Sequence, residues 1–144
     1  MNYRLGVMII VRKSNKVLVA RKVNTDEWQL PAGGRDSGET VLTTARRELL
    51  EELNIDLSLA LNVDVSFVVS QYEWSTEWKI KRGYDGQRRH IVIVTLPDSV
   101  EAVADGLELK EIKWVTIKEL FNTLTHKDMC DTIREMIELG ELKC

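Results

Sequence analysis

The chain has 144 residues, 44% hydrophobic and 30% charged, with a formal net charge of −3. That length and apolar content fit a single domain over residues 1–144. The slight acidity argues against a general attraction for nucleic acid or anionic membrane, and no apolar stretch approaches the roughly 18 residues of a transmembrane helix.

The first residues, MNYRLGVMIIVRKSNK, lack the order of a secretory leader, and Val7–Val11 is better read as a buried strand. Leu5–Val11 and Val17–Arg21 are β-branched runs parted by Lys13-Ser14-Asn15-Lys16, which predicts a hairpin. Trp28-Gln29-Leu30-Pro31 reads as a short strand halted by its proline. Gly33 and Gly34 then suit a turn, because glycine tolerates positive φ and lets the backbone approach a ligand. Thr40–Leu53 predicts a helix with Val41, Leu42, Ala45, Leu49 and Leu53 on its core side. Strands follow at Val63–Gln71, His90–Leu96 and Ile112–Val115, and helices at Ile117–Leu124 and Lys127–Leu139. Strands and helices that do not simply alternate point to an α+β sandwich. Cys130 and Cys144 both lie late in the chain, which predicts neither a structural disulfide nor a metal site and makes a reducing cytoplasm the expected compartment.

The predicted helix over 40–53 carries Glu48, Glu51 and Glu52 at spacings i, i+3 and i+4. Like charges so placed destabilise a helix by a few tenths of a kcal/mol per pair. A cation is therefore expected against that face, although a solvated acidic surface is the plain alternative. Magnesium suits such a face, since it takes oxygen ligands, keeps several waters and binds through a few carboxylates plus substrate phosphates.

From Gly33 to Ile55 the spacing is that of a long motif. Five residues separate Gly33 from Glu39 and seven separate Glu39 from Arg47; Glu48-Leu49-Leu50-Glu51-Glu52-Leu53-Asn54-Ile55 follows. This resembles the signature of the Nudix hydrolases, G-x5-E-x7-R-E-U-x-E-E-x-G-U, with U a bulky aliphatic residue; Asn54 replaces the final glycine. Asparagine is the next most tolerated residue in a left-handed helix cap, so the helix is expected to end normally. The resemblance implies the Nudix fold, a mixed β-sheet between α-helices, and a pyrophosphohydrolase using Mg²⁺, with Mn²⁺ as a substitute. It implies that Glu48, Glu51 and Glu52 bind the metal, with Glu48 or Glu51 as the base, and that the Ala32 carbonyl is a further ligand. Glu39 and Arg47 read equally as an exposed ion pair or as a brace for the acidic residues, the role the family implies for this arginine next to the catalytic glutamates.

Weaker pieces resemble the branch containing RNA pyrophosphohydrolases and dinucleoside polyphosphate hydrolases: Tyr3-Arg4, Ala20-Arg21-Lys22, Trp28 through Gly34, Tyr84-Asp85-Gly86-Gln87, Glu108 through Val115, and Lys127. The branch continues its glycine-glutamine with lysine and aromatics, whereas this chain reads Arg88-Arg89-His90-Ile91. The implied substrate is a dinucleoside polyphosphate or the 5′ end of a triphosphorylated RNA. Nucleoside triphosphates, nucleotide sugars and a non-catalytic nucleotide- or RNA-binding module are the alternatives. Arg4, Arg21, Lys22 and Lys127 are candidate phosphate ligands, Gly33, Gly34, Tyr84 and Gln87 candidate substrate contacts, and Glu108, with Glu111 competing, a further metal ligand. Residues 71–89 mix tryptophans and tyrosines with cations, as base-stacking sites do; a strand and hairpin with core-facing tryptophans is the other reading. His90 and His126 are expected to be structural, and the protein is expected to be a monomer or homodimer.

Overall fold

A computed structural model describes residues 1–143; Cys144 lies outside the described residues. Seven strands and four helices follow one another as β1 (Tyr3–Lys13), β2 (Lys16–Lys22), β3 (Trp28–Gln29), β4 (Ala32–Gly34), α1 (Val41–Leu53), β5 (Asn62–Glu73), α2 (Thr76–Arg82), β6 (Gly86–Leu96), β7 (Leu109–Val115), α3 (Ile117–Thr123) and α4 (Lys127–Glu138). The sheet runs β3-β2-β1-β6-β5, with β4 added to β1 and β7 to β2. Strand β1 lies parallel to β6 along its whole length and antiparallel to β4, so the sheet is mixed.

The expected hairpin forms at Ser14-Asn15, with Ser14 in the left-handed region at φ 55°. Strands β1 and β2 pair at Arg12↔Val17 and Lys13↔Lys16 and then part. Strand β4 fills one side of the split, pairing Gly6↔Gly34 through Met8↔Ala32, and β7 lies along β2. Arg4 of β1 and Lys22 of β2, at the ends of the strands far from the hairpin, both line a cleft.

Alternation on β1 builds two cores. Met8 and Ile10 join Ile133 and Met136 of α4 on one face, and Val7, Ile9 and Val11 join Ala45, Leu49 and Leu53 of α1 on the other. The sheet is therefore sandwiched between helices, as the sequence predicts. Among the described residues no helix is long and apolar enough to cross a membrane.

Helix α1 is capped by Thr40, whose side chain accepts from the Thr43 N–H, and ends at Asn54 in the left-handed conformation (φ 54°, ψ 35°). The expected substitution of the family's glycine is thus accommodated. Three expectations are corrected. Leu42 is 45% exposed rather than in the core, because the buried face of α1 is centred on Thr44, Ala45, Glu48, Leu49 and Glu52, and Leu42 lies at its edge in the first turn. The glycine turn is strand β4, and neither Gly33 nor Gly34 has positive φ. Of the two readings of 71–89, the strand and hairpin with core-facing tryptophans gives way to helix α2 between β5 and β6, capped by Ser75 and closed by Gly83 at φ 78°.

Candidate active site

Strand β4 and helix α1 meet because their contact residues have no room for larger ones. A Cβ on Gly33 would fall on the Glu48 carboxylate, and one on Gly34 would fall on the Arg4 guanidinium. The glycines are needed for close approach, not for backbone dihedrals. Between them Glu39 and Arg47 form a clasp. Arg47 donates from Nε and Nη2 to the two Glu39 oxygens at 2.9 Å each, and from Nη2 to the Gly34 carbonyl at 2.8 Å. Its Nη1 donates to Glu48 Oε1 at 2.9 Å and to Glu51 Oε2 at 3.5 Å. Glu39 also accepts from the Asp36 N–H at 2.8 Å and the Thr44 hydroxyl at 3.2 Å. The Arg47 hydrogen bonds hold the Glu39 carboxyl down at about 2, aided by the Asp36 N–H. So many partners on one guanidinium decide between the two readings: the pair is a brace, with Arg47 fixing β4 and two glutamates rather than facing open space.

Glu48 and Glu52 lie on the sheltered side of α1, 7% and 6% exposed. Burial raises the affinity of both carboxyls for protons; for Glu52 the neighbouring Glu108 and Glu48 add to the rise. Glu108 is therefore the outlying glutamate that meets the helix. Its competitor Glu111 is engaged elsewhere, 3.5 Å from Arg21 Nη1. Glu108 is placed by Asp105, whose carboxylate accepts from the N–H groups of Leu107, Glu108 and Leu109 at 3.0–3.1 Å while its own N–H donates to the Glu52 carbonyl at 2.9 Å. The sequence reading missed Asp105; the Asp-Gly turn at 105–106 was its available signal.

Glu48, Glu51, Glu52 and Glu108 line a cleft of about 900 Å³ together with Ala32, Gly33 and Gly34. Arg4, Lys22, Arg82, Gln87 and Arg89 line the same cleft, with Tyr72, Trp74 and Trp78. Trp74 and Trp78 are 6.3 Å apart at 52°, and the Arg82 guanidinium lies 5.0 Å from the Trp78 ring centre. The Tyr72 hydroxyl donates to Gln87 Oε1 at 2.9 Å. Arg21, Tyr84 and Lys127, expected to contact substrate, lie outside this lining. Arg21 is turned to Asp26 and Glu111. The segment holding Tyr84 closes the sheet, Asp85 pairing by backbone and side chain with Asn2. His126 meets Glu27, and both reach the cleft rim.

Arg89 entered the sequence reading only within the departure Arg88-Arg89-His90-Ile91 and among the cations of 71–89, not as a candidate site residue. It is 5% exposed, donates from Nη2 to Asp128 at 3.3 Å, and stacks over Tyr72 at 5.5 Å. Among the described residues its buried Nε has no hydrogen-bond partner. The contact with Asp128 spans 39 positions, a pairing no local pattern announces.

The donor set fits a divalent cation on charge. Among the described residues Glu52 and Glu108 have no cationic partner, yet burial and like-charged neighbours disfavour leaving Glu52 ionised alone. A hard cation would relieve this, and carboxylate oxygens with the Ala32 carbonyl are the ligands such ions take. Among the described residues no three acidic, histidine or cysteine side chains are already gathered at ligating distance, so the fit rests on charge rather than on a finished cage.

The NUDIX domain model matches residues 2–139. The chain belongs to the Nudix family. An RNA pyrophosphohydrolase of Pelagibacter ubique (strain HTCC1062) is 30% identical to it, over 93% of this chain and 93% of its own. Among solved structures, the Caenorhabditis elegans Ap4A hydrolase binary complex superposes with a TM-score of 0.75 at 16% identity, covering 94% of this chain and 96% of that one. The Escherichia coli dihydroneopterin triphosphate pyrophosphohydrolase does so with a TM-score of 0.77 at 17% identity, covering 94% and 97%. These two likenesses bear on the fold. The Nudix chain is accordingly a pyrophosphohydrolase, a hydrolase acting on phosphorus-containing acid anhydrides. Enzymes of this family generally use divalent ions such as Mg²⁺ or Mn²⁺.

Proposed function

We propose that this Nudix enzyme hydrolyses a phosphoanhydride bond of a dinucleoside polyphosphate or of an RNA 5′-triphosphate end, with Mg²⁺ as its metal and Mn²⁺ as a substitute. One observation carries the reading: the buried Glu48 and Glu52 share a single cleft with Arg4, Arg82, Arg89 and the rings of Tyr72, Trp74 and Trp78. The similarity to an RNA pyrophosphohydrolase supports it.

Glu48, Glu51, Glu52 and Glu108, with the Ala32 carbonyl, would hold the metal, which when bound neutralises diphosphate charge and favours attack by water. Arg4, Lys22 and Arg82 bind the remaining phosphate oxygens, arginine in bidentate fashion. Trp74 and Trp78 offer ring faces to a base. Glu48 or Glu51 accepts the proton of the attacking water, whose oxygen bonds to phosphorus as the bridging oxygen leaves with its electron pair. Arg47 keeps Glu48 in position.

The test is product analysis by mass spectrometry in ¹⁸O water on a panel: a dinucleoside tetraphosphate, a triphosphorylated RNA, a nucleoside triphosphate and a nucleotide sugar, each with Mg²⁺, Mn²⁺ or chelator. Turnover is expected on the first two, dependent on metal, with Glu51→Gln and Glu52→Gln lowering kcat by at least about a hundredfold. Wild-type turnover in both variants would overturn the residue assignment. Exclusive turnover of the triphosphate or the sugar would overturn the substrate.

A further inference from the structure

Apart from the glutamates, the cleft holds an ion pair that is only half used. Arg89 stands on β6 and Asp128 in the first turn of α4, and both line the cleft. Their contact is one-pronged: Arg89 Nη2 donates to Asp128 Oδ2 at 3.3 Å and to the Ser70 hydroxyl at 3.5 Å. Arginine–carboxylate pairs commonly close a fork of two parallel bonds. Here, among the described residues, Arg89 Nε and Nη1 have no acceptor and Asp128 Oδ1 has no donor. Nε is enclosed, Nη1 is not, and the Asp128 side chain is 45% exposed. Leaving the donors of so buried a guanidinium unmet is costly. A ligand at Nη1 and Oδ1 would complete both groups.

The sheet places this pair close to the reacting strand. Arg89 pairs with Gly6 of β1, and Gly6 pairs on its other side with Gly34 of β4. The Arg89 stem lies over Gly6, where an added Cβ would meet its Cγ at 3.5 Å. Arg89 is thus two strand spacings, about 10 Å, from β4. A nucleoside spans a similar length from its base edge to its 5′ phosphate. The Tyr72 ring, 5.5 Å from the guanidinium, helps to hold it there.

The Asp128 carboxylate counts against a phosphate at this place, so the fitting group is neutral and offers both an acceptor and donors. Nη1 and Nη2 share one carbon and Oδ1 and Oδ2 another, which sets the open donor and the open acceptor side by side. Guanine carries the O6 acceptor next to the N1–H and N2–H donors on one edge. Every other base has a single donor group on its pairing edge, and bonds to a charged acceptor are the stronger ones. We propose that Arg89 and Asp128 read the base of the substrate as guanine, Arg89 Nη1 donating to O6 and Asp128 accepting from N1–H and N2–H. The inference rests on the cleft being the nucleotide site of the proposed function. Arg89 belongs to the stretch Arg88-Arg89-His90-Ile91 in which this chain departs from its branch, so the selectivity is this chain's own.

Calorimetric titration of the full chain with GMP, IMP, AMP and CMP in Mg²⁺ tests this, together with kcat/KM on symmetric dinucleoside tetraphosphates of the same bases. Guanine is expected to lead adenine and cytosine by at least about tenfold, with hypoxanthine, which lacks the N2 amino group, in between. Asp128→Asn and Arg89→Lys should each bring the guanine-to-adenine ratio to within about twofold of one. A merely structural role would lower all bases together and keep the ratio. Asp128 is half exposed, so its variant should fold, as a retained thermal transition checks; it decides alone if Arg89→Lys does not fold. Equal treatment of the bases by wild type, preference for another base, or a guanine preference that survives in Asp128→Asn overturns the proposal. Turnover without base preference does so while leaving the proposed function intact. Guanine-selective binding without turnover of any substrate does the reverse, and the absence of both binding and turnover overturns the two together.

Discussion

At Gly33 the lack of a single carbon atom lets β4 lie against the carboxylate of Glu48, and the same economy at Gly34 admits the Arg4 guanidinium. Gly33→Ala is expected to push Glu48 away from β4 without unfolding the chain. Displacement of a reacting group by about 1 Å can cost a hundredfold in rate, so kcat should fall by on the order of 100-fold while the circular dichroism spectrum stays unchanged. Full activity in this variant would mean that Glu48 can turn aside freely. The spacing from Gly33 to Glu52 was readable in advance because those residues sit on one helix and the strand before it. Glu108 could be aligned but not separated from Glu111 until Asp105 fixed its approach. Arg89 and Asp128 could not be paired from sequence at all, since β6 and α4 bring them together only in the folded chain. Single cations misled for the converse reason. Arg21 found acidic neighbours on its own side of the sheet, and a lone arginine in a sequence does not announce its partner.

Helix α1 depends on its exit as well as its face. The Asn54 N–H reaches the Leu50 carbonyl at 3.2 Å and the Ile55 N–H the Leu49 carbonyl at 3.1 Å, which needs the left-handed conformation at Asn54. A β-branched residue there is strained, so Asn54→Val should cost about 1–2 kcal/mol and Asn54→Gly should be neutral or slightly stabilising. Thermal unfolding of the two variants checks the order, and equal melting temperatures would show that the cap is not under strain. The long elements, β1, α1, β6 and α4, were readable, the strands from their β-branched apolar runs and α1 from its period. Two short ones were not. Ala32-Gly33-Gly34 has little strand propensity and is a strand because β1 offers it partners. Helix α2 has seven residues whose tryptophan and lysines read as strand or loop, and its signals were the Ser75 cap and Gly83. Leu42 fitted the apolar period of α1, but the buried face also takes in Thr44, Glu48 and Glu52, which an apolar period does not count, and so is centred away from it.

The molecule as a whole is a sheet filled from both sides, and neighbouring residues of β1 belong to different cores. Ile9 faces α1 and Ile10 faces α3 and α4, both fully buried. Ile9→Val and Ile10→Val should each cost about 0.5–1.5 kcal/mol. Because they share no side-chain partner across the sheet, the double variant should equal the sum within about 0.5 kcal/mol. Urea denaturation measures all three, and a larger coupling would mean that the two cores are strained through the backbone.

The parallel pairing of β1 with β6 also sets an order of events. Tyr3 meets Gly86 and Lys13 meets Leu96, so the strand at the middle of the sheet is translated long before its neighbour. Until residue 96 is free, Val7-Met8-Ile9-Ile10-Val11 has β4 and a short hairpin contact for company, and one of the most apolar segments of the chain stays without its main partner. Contacts of such separation slow folding, and the waiting strand is where a nascent chain of this protein is most open to chaperones and to misassociation.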